Sequence, residues 1–353
     1  MRPKFVPIIL AGGKGERFWP LSRKHRPKQF LCLDGSGESL IQATANRLLP
    51  IVGGWDDIWV ITSKLLETGV QEQLPSLPAA NLLAEPEGRD TAAAVAWATL
   101  EVAKRYGEDV VVGFFPADAW IADAEAFAQT IESAVQLAEH TGAIVTLGIT
   151  PTFPSIGYGY IQQGIASGKY NDRDTYRVDR FTEKPDLETA KSFIASGDYT
   201  WNSGIFIFTA STAIGELNIH APELMQLLIE KGVSIYPTLP KISIDYALME
   251  KTKLTHVIPA DFGWDDLGDW NAIERLLKGD NINVELANHV CIDTTGAVLY
   301  ASNPDEVVVT IGLEDVVVVR DGDVTLIVAK DRTQEIKQVV NKIKEDRELD
   351  RLL

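Results

Sequence analysis

The segment running from Leu10 through Gly12-Gly13-Lys14-Gly15, Arg17 and Lys28 to Phe30 holds three glycines and six lysine or arginine residues between Lys14 and Lys28. Glycines leave backbone N–H groups open to approach, so such a loop can surround phosphate oxygens. Cations packed into the same stretch supply the countercharge. The loop is not a P-loop, because no Gly-Lys-Ser/Thr follows. It is not a dinucleotide fingerprint either, since Phe18 stands where the third glycine would fall. An anion site is the reading that remains. A second candidate, Asp118, follows the apolar run Val110–Phe115. A carboxylate there suits Mg²⁺, which takes a few carboxylates together with substrate phosphates.

The elements that must position these groups alternate between strand and helix. Phe5–Leu10, Asp57–Thr62, Asn81–Ala84, Val110–Phe115 and Ala143–Gly148 read as strands, and Ser39–Leu49, Thr91–Arg105 and Ala124–Glu139 as helices. Phe127, Ile131, Ala134, Val135 and Ala138 lie on one stripe of the last helix. Apolar strands alternating with helices predict an α/β fold, a mainly parallel sheet covered on both faces. Ligands then sit at the C-terminal ends of the strands. From Tyr158 the pattern becomes antiparallel, with strands at Tyr160–Gln163, Tyr176–Thr182 and Gly204–Thr209 and helices at Ala213–Leu217, Glu223–Glu230 and Tyr246–Lys251. After about Leu277 come short Val-rich strands, a hairpin turn at Arg320-Asp321-Gly322-Asp323 and an apolar helical spacing within Gln334–Leu349. This divides the chain into a catalytic domain over 1–280 and a small β domain with a closing helix over 281–353.

Composition narrows the function. The 353 residues carry a net charge of −17, which disfavours nucleic acid and anionic membranes as partners. An anionic substrate therefore needs a local cluster of cations, because the general field fades over about 8 Å. No apolar run is long enough for a membrane span, and the start has no export-signal pattern, so the cytoplasm is the expected compartment. Cys32 and Cys291 read as two buried reduced thiols, and the five histidines form no metal-binding cluster.

Seven blocks, in order along the chain, resemble the sugar-nucleotide pyrophosphorylase family, and within it the mannose-1-phosphate guanylyltransferase branch. The first holds Trp19-Pro20-Leu21-Ser22-Arg23 and Pro27-Lys28-Gln29-Phe30. Glu85-Pro86-Glu87-Gly88-Arg89-Asp90-Thr91-Ala92 and Phe115-Pro116-Ala117-Asp118 follow, then Pro151 to Ile161 around Gly157-Tyr158-Gly159. Phe181-Thr182-Glu183-Lys184-Pro185, Trp201-Asn202-Ser203-Gly204 and Trp264-x-Asp266-x-Gly268-x-Trp270 complete the set. The resemblance implies a Rossmann-like (GT-A-like) nucleotidyltransferase domain with a left-handed β-helix-like C-terminal element. It implies that mannose 1-phosphate attacks the α-phosphorus of GTP, giving GDP-mannose and pyrophosphate with Mg²⁺. A homodimer is the expected assembly.

By the same resemblance Arg17 and Lys28 hold the triphosphate and Lys184 the sugar phosphate. Leu10, Ala11, Gly12, Gly13, Gly15, Glu85, Pro86, Gly88 and Thr91 line the nucleotide, and Gly157, Gly159, Glu183 and Asn202 the sugar. Asp118 and Asp266 are the metal ligands. Guanine presents N1–H and N2–H₂ side by side, a donor pair that one carboxylate accepts, and Glu85 is the candidate for it. Asp90 reads as the N-cap of the helix that follows. The family usually has His after the first Asp, where this chain has Ala119. Some relatives carry a fused isomerase of the metal-binding cupin kind, and a single activity is expected here. Another base or sugar such as glucose 1-phosphate, or a non-catalytic regulatory subunit that binds nucleotide sugars, stays open as an alternative.

Overall fold

The computed structural model describes residues 4–353 and resolves them into two compact units. The first comprises residues up to Gly12 with Thr44–Ala117 and Ile121–Trp264. The second comprises Gly13–Ala43, Asp118–Trp120 and Asp265–Leu353. Packing thus groups the glycine-loop segment with the C-terminal residues, whereas the sequence division at 280 separates them.

The first unit is built on a nine-stranded sheet. Its strands run in the order Leu82–Glu85, Trp59–Ser63, Phe5–Ala11, Val111–Pro116, Tyr199–Thr209, Ile144–Ile149, Thr255–Ala260, Arg173–Thr182 and Tyr160–Tyr170. The first four pair parallel, as do Ile144–Ile149 and Thr255–Ala260. The strand Tyr199–Thr209 runs antiparallel between them and the 160–182 hairpin is antiparallel, which is the antiparallel portion the loops after Tyr158 predict. Side chains alternate across the sheet. Val6, Ile8, Val112 and Phe114 meet the helices Asp90–Tyr106, Ala210–His220 and Pro222–Lys231 on one face. Phe115 meets Phe127 of helix Ala124–Thr141 on the other, at 6.1 Å between ring centroids. That helix begins where the Asp123 carboxylate accepts the Ala126 N–H, and it ends on Gly142 in the left-handed region.

Two local expectations are corrected. Asp90 adopts φ 65° and turns its carboxylate to the adjacent Thr91 N–H at 2.8 Å, so helix Asp90–Tyr106 opens without a side-chain cap. The α-helix expected over 246–251 is a π turn, Asp245–Met249, closed by Glu250 N–H donating to the Asp245 carbonyl at 3.0 Å. The turn places Asp245 Oδ1 3.2 Å from the Asn202 amide nitrogen.

The second unit has its own core. Phe18, Trp19, Leu21, Leu31 and Leu33 pack with Trp270, Val298, Val317, Val319, Ile336, Val340 and Ile343. The strands Val284–Leu286, Val298–Ala301 and Val316–Asp321 pair parallel, and Asn288–Ile292 pairs parallel with Val307–Ile311. Successive segments therefore coil, which gives the β-helix-like element. The final hairpin turns at Gly322, φ 57°, and Val324–Ala329 returns antiparallel. Cys291 is exposed rather than buried, and Cys32 is half-buried. The Asn288–Ile292 strand is open to solvent along most of its length, so a thiol there has no core to enter.

Candidate active site

In the second unit the six cations of the glycine-loop segment divide into two sets. Arg23 and Arg26 pair with Asp321 at 3.4 and 3.5 Å, and Lys24 pairs with Asp350 at 3.2 Å. Arg23 also donates to the Leu352 carbonyl at 2.7 Å, and Trp19 Nε1 to the same oxygen at 2.8 Å. These cations fasten the segment to the C-terminal residues. Lys14, Arg17 and Lys28 instead line a cavity of about 390 Å³ together with Asp118, Asp266, Gly268 and Lys337. Lys14, Arg17 and Lys337 are exposed there, while Lys28 is buried. Lys337 comes from the closing helix Ile336–Glu345, and Lys344 of that helix pairs with Glu16 at 2.6 Å. Nothing local marks Lys337 as a site residue. It is one lysine of an amphipathic helix, and only packing puts it beside the glycine loop.

Lys28 is the hub of this cavity. Its ammonium donates to Asp118 Oδ2 at 2.7 Å and to the main-chain carbonyls of Asp266 at 2.7 Å and Leu267 at 3.0 Å. Those three bonds use all three of its donors. Gly15 makes the approach possible. It sits at φ 61°, and a Cβ on it would collide with the Lys28 Cβ and lie 2.9 Å from the Lys28 nitrogen. Among the described residues no three His, Cys, Asp or Glu side chains gather as a closed metal site. Asp118 and Asp266 nevertheless line the same cavity. Two hard oxygen donors on an open cavity fit a divalent cation that completes its shell with water and phosphate.

In the first unit two further clusters form. Glu85, at the end of Leu82–Glu85, is buried, and its Oε1 accepts the Tyr236 hydroxyl at 2.5 Å. A Cβ on Gly12 would lie 3.7 Å from Oε2, so the second oxygen faces the start of the glycine loop. Pro86 and Gly88 are exposed, and Thr91 Oγ1 accepts the Ile244 N–H at 2.8 Å. The Leu10 and Ala11 carbonyls are taken by Ala117 N–H at 3.0 Å and Thr62 Oγ1 at 2.8 Å, which anchors the strand that leads into the loop. Gly13 is exposed.

Burial pushes the Glu85 carboxyl up to about 7, against the Tyr236 hydrogen bond and with help from the Asp90 charge. Between about pH 4.5 and 7 the folded state therefore holds the proton that the unfolded chain gives up, and stability falls as pH rises through that window. Glu85→Gln is expected to gain stability on the wild type by on the order of 2 kcal/mol when pH goes from about 5 to 8. Urea melts of both proteins across that range check it. Parallel profiles would mean that Glu85 is not strained by burial.

The other cluster joins Glu183, Lys184, Asn202 and Asp245. Asn202 is held by its own strand and the neighbouring one: Oδ1 accepts the Gly204 N–H at 3.1 Å and the Thr146 hydroxyl at 3.2 Å, which turns Nδ2 to Asp245 Oδ1 at 3.2 Å. Lys184 lies at φ 46° with its ammonium 2.5 Å from Glu183 Oε1. Burial works against its charged form, but Glu183 and Asp245 hold its pKa above the ordinary lysine range. A Cβ on Gly159 would lie 2.6 Å from Glu183 Oε2, so only glycine leaves that carboxylate its position. Gly157 is exposed beside an aromatic cluster in which Tyr158 and Trp201 stand 4.9 Å apart and edge to face. Asp245 was invisible to sequence reasoning. Burial and the Glu183 charge push its carboxyl up to about 6, and its signal is the π turn, a geometry that recurs at functional sites.

A largely parallel sheet whose strands lead into a glycine loop and a carboxylate-bearing turn, with cations gathered around two aspartates, is the build of a nucleotidyltransferase. The chain belongs to the nucleotidyl transferase family, whose model matches residues 6–281, and a MannoseP isomerase/GMP-like β-helix domain matches residues 287–343. More particularly, it is similar to mannose-1-phosphate guanylyltransferases. The one from Escherichia coli K12 is 37% identical over 97% of this chain and 74% of its own length, and that from Salmonella montevideo is 39% identical over 96% and 74%. A crystal structure from Thermus thermophilus, described as a mannose-1-phosphate geranyltransferase, superposes with a TM-score of 0.87 at 36% identity, covering 97% of this chain and 99% of that one. Enzymes of this family generally use a divalent metal. No helix among the described residues is long and apolar enough to cross a membrane.

Proposed function

We propose that the chain transfers GMP from GTP to mannose 1-phosphate in the cytoplasm, forming GDP-mannose and pyrophosphate, with Mg²⁺ held by Asp118 and Asp266. The observation that carries this reading is the cavity where those two carboxylates meet Lys14, Arg17, Lys28 and Lys337. Both substrates are polyanions, and two unit charges 4 Å apart repel by roughly 4 kcal/mol at an effective dielectric of 20. When bound, the metal supplies charge neutralisation between the reacting phosphates. Lys14, Arg17 and Lys337 take triphosphate oxygens, and Lys28 holds the Asp118 and Asp266 segments in register. The first unit supplies the readers. Glu85 accepts the guanine donor pair, Lys184 takes the sugar phosphate, and Glu183, Asn202 and Asp245 accept and donate to sugar hydroxyls. The attacking phosphate is already ionised, so no general base is needed and catalysis is positioning and charge stabilisation.

Pyrophosphate release across the four nucleoside triphosphates, each with mannose 1-phosphate and glucose 1-phosphate, tests the reading. GTP with mannose 1-phosphate should be turned over fastest. No release with any pair would leave a non-catalytic binding subunit. For Lys337, the expected result of Lys337→Ala is a KM for the triphosphate raised about fivefold, roughly 1 kcal/mol, with the KM for sugar phosphate and the melting temperature unchanged. An unaltered KM would place Lys337 outside the site.

The reading includes a homodimer. Val290, Ile292, Val307, Val309 and Ile311 are each more than half exposed. The register Val290↔Val309 and Ile292↔Ile311 puts them on one face of the Asn288–Ile292 and Val307–Ile311 ladder. A net charge of −17 disfavours self-association through the acidic surface, and an exposed apolar patch of this kind marks a contact surface. Ile311→Lys is expected to convert a dimer to a monomer in sedimentation velocity. A wild type that sediments as a monomer at every concentration rules the dimer out.

A further inference from the structure

We propose that Tyr236 is a specificity-determining residue: by donating its hydroxyl to Glu85 Oε1 it keeps that carboxyl group in the form that matches guanine, so base choice depends on pH and on this one hydrogen bond. The inference rests on the reading of Glu85 as the guanine contact.

The geometry is that of a buried pair. Tyr236 is fully buried in the turn Gly232–Thr238, its ring lies edge-on to Trp97 at 5.6 Å, and its hydroxyl reaches Glu85 at 2.5 Å from 151 residues away. Burial and the facing carboxylate drive the phenol well above its ordinary range, so it acts as a donor at every working pH. Asp90, at the start of the next helix, disfavours the ionised carboxylate. Arg89 is paired with Glu87 at 3.1 Å. On the remaining side is the Gly12 backbone. With no cation among the described residues bonded to it, the carboxylate depends on Tyr236 to stay charged.

The protonation state decides what the group can read. A carboxylate presents two acceptors, and Oε1 keeps a lone pair after accepting from Tyr236. That pattern meets guanine N1–H and N2–H₂. A neutral carboxylic acid presents one acceptor and one donor, which meets adenine N6–H₂ and N1 instead. A mismatched buried donor or acceptor costs about 1–3 kcal/mol. Because burial places the Glu85 titration near neutrality, the preference for guanine is strongest above that point and fades below it.

The test is kcat/KM for GTP and for ATP, with mannose 1-phosphate and Mg²⁺, from about pH 5.5 to 9, on the full chain. Wild type, Tyr236→Phe and Glu85→Gln are compared, with a thermal melt of each. Ionisation of the γ-phosphate affects both nucleotides alike and cancels in the ratio. In the wild type the GTP:ATP ratio is expected to rise about tenfold per pH unit below a midpoint near 7 and then level off. In Tyr236→Phe, which keeps the ring against Trp97, the midpoint should move up by about one unit, so the ratio falls about tenfold at pH 7 and recovers by pH 9. A Tyr236→Phe curve that superposes on the wild type, or a loss of ratio equal at every pH, overturns the role of Tyr236. The wild-type curve needs no variant, and a ratio flat with pH overturns the inference directly. Glu85→Gln should give a low, flat ratio. If it keeps the wild-type preference, the reading of Glu85 itself fails, whatever Tyr236 does.

Discussion

Asp266→Asn is expected to lower turnover about a thousandfold or more. The reason for separating it from Asp118→Asn lies in how each aspartate meets Lys28. Asp266 binds the ammonium through its main-chain carbonyl, so an amide side chain at 266 leaves that bond in place while taking away the charge offered to a metal. Asp118 binds it through its carboxylate. Asp118→Asn should lose turnover to a similar degree and also lose stability, because the amide oxygen can still accept but the buried ammonium is left with neutral acceptors only. Asp118 is partly exposed, so that cost is expected at about 1 kcal/mol, the difference between a charged and a neutral hydrogen bond. Steady-state kinetics with varied Mg²⁺, beside urea melts, read both quantities. Near-normal Mg²⁺-dependent turnover in Asp266→Asn would remove Asp266 from the metal site.

Lys28→Met carries the second largest effect. It keeps the buried length of the side chain but takes away three hydrogen bonds at once. Asp118 is then unrestrained, and the Asp266 and Leu267 carbonyls lose their donor. The expected result is a fall in kcat of about a hundredfold or more at saturating levels of both substrates, with a lowered melting temperature. A lysine that only held the triphosphate would behave differently: the KM for GTP would rise alone and the melt would not move. Lys28→Arg should not rescue, since the guanidinium needs room beneath Gly15 and beside the Phe18 ring, 6.0 Å from the ammonium. Full rescue by arginine would show that the position needs a charge and not this geometry.

Much of the fold was legible because it is written in local periodicity. Short apolar runs such as Ile8–Leu10 and Val111–Phe115, followed by turn residues, read as buried strands, and the stripe through Phe127 and Ile131 reads as a packed helix. The hairpin at Gly322 follows from turn chemistry. The candidate segments were legible for a similar reason: glycines, cations and carboxylates in short blocks are dense enough to stand out from an acidic background. Arg17 and Lys28 stand out this way, Asp118 by its place after an apolar strand and Asp266 through the family resemblance alone, and the structure brings all four onto one cavity.

The sequence by itself determined which segments carry chemistry and which elements deliver them, because strand, helix and turn preferences act over a few residues. Only the tertiary structure decided what each side chain does there. Lys28 spends its donors on Asp118 and two distant carbonyls, Arg23 and Arg26 are bound to Asp321, Glu85 meets Tyr236, and Lys337 arrives from the closing helix. Each partner lies far along the chain, and no local pattern records it. The same holds for protonation. Glu85 and Asp245 are ordinary acids in the sequence, and they move towards neutrality because folding withdraws them from water and sets another acid beside each.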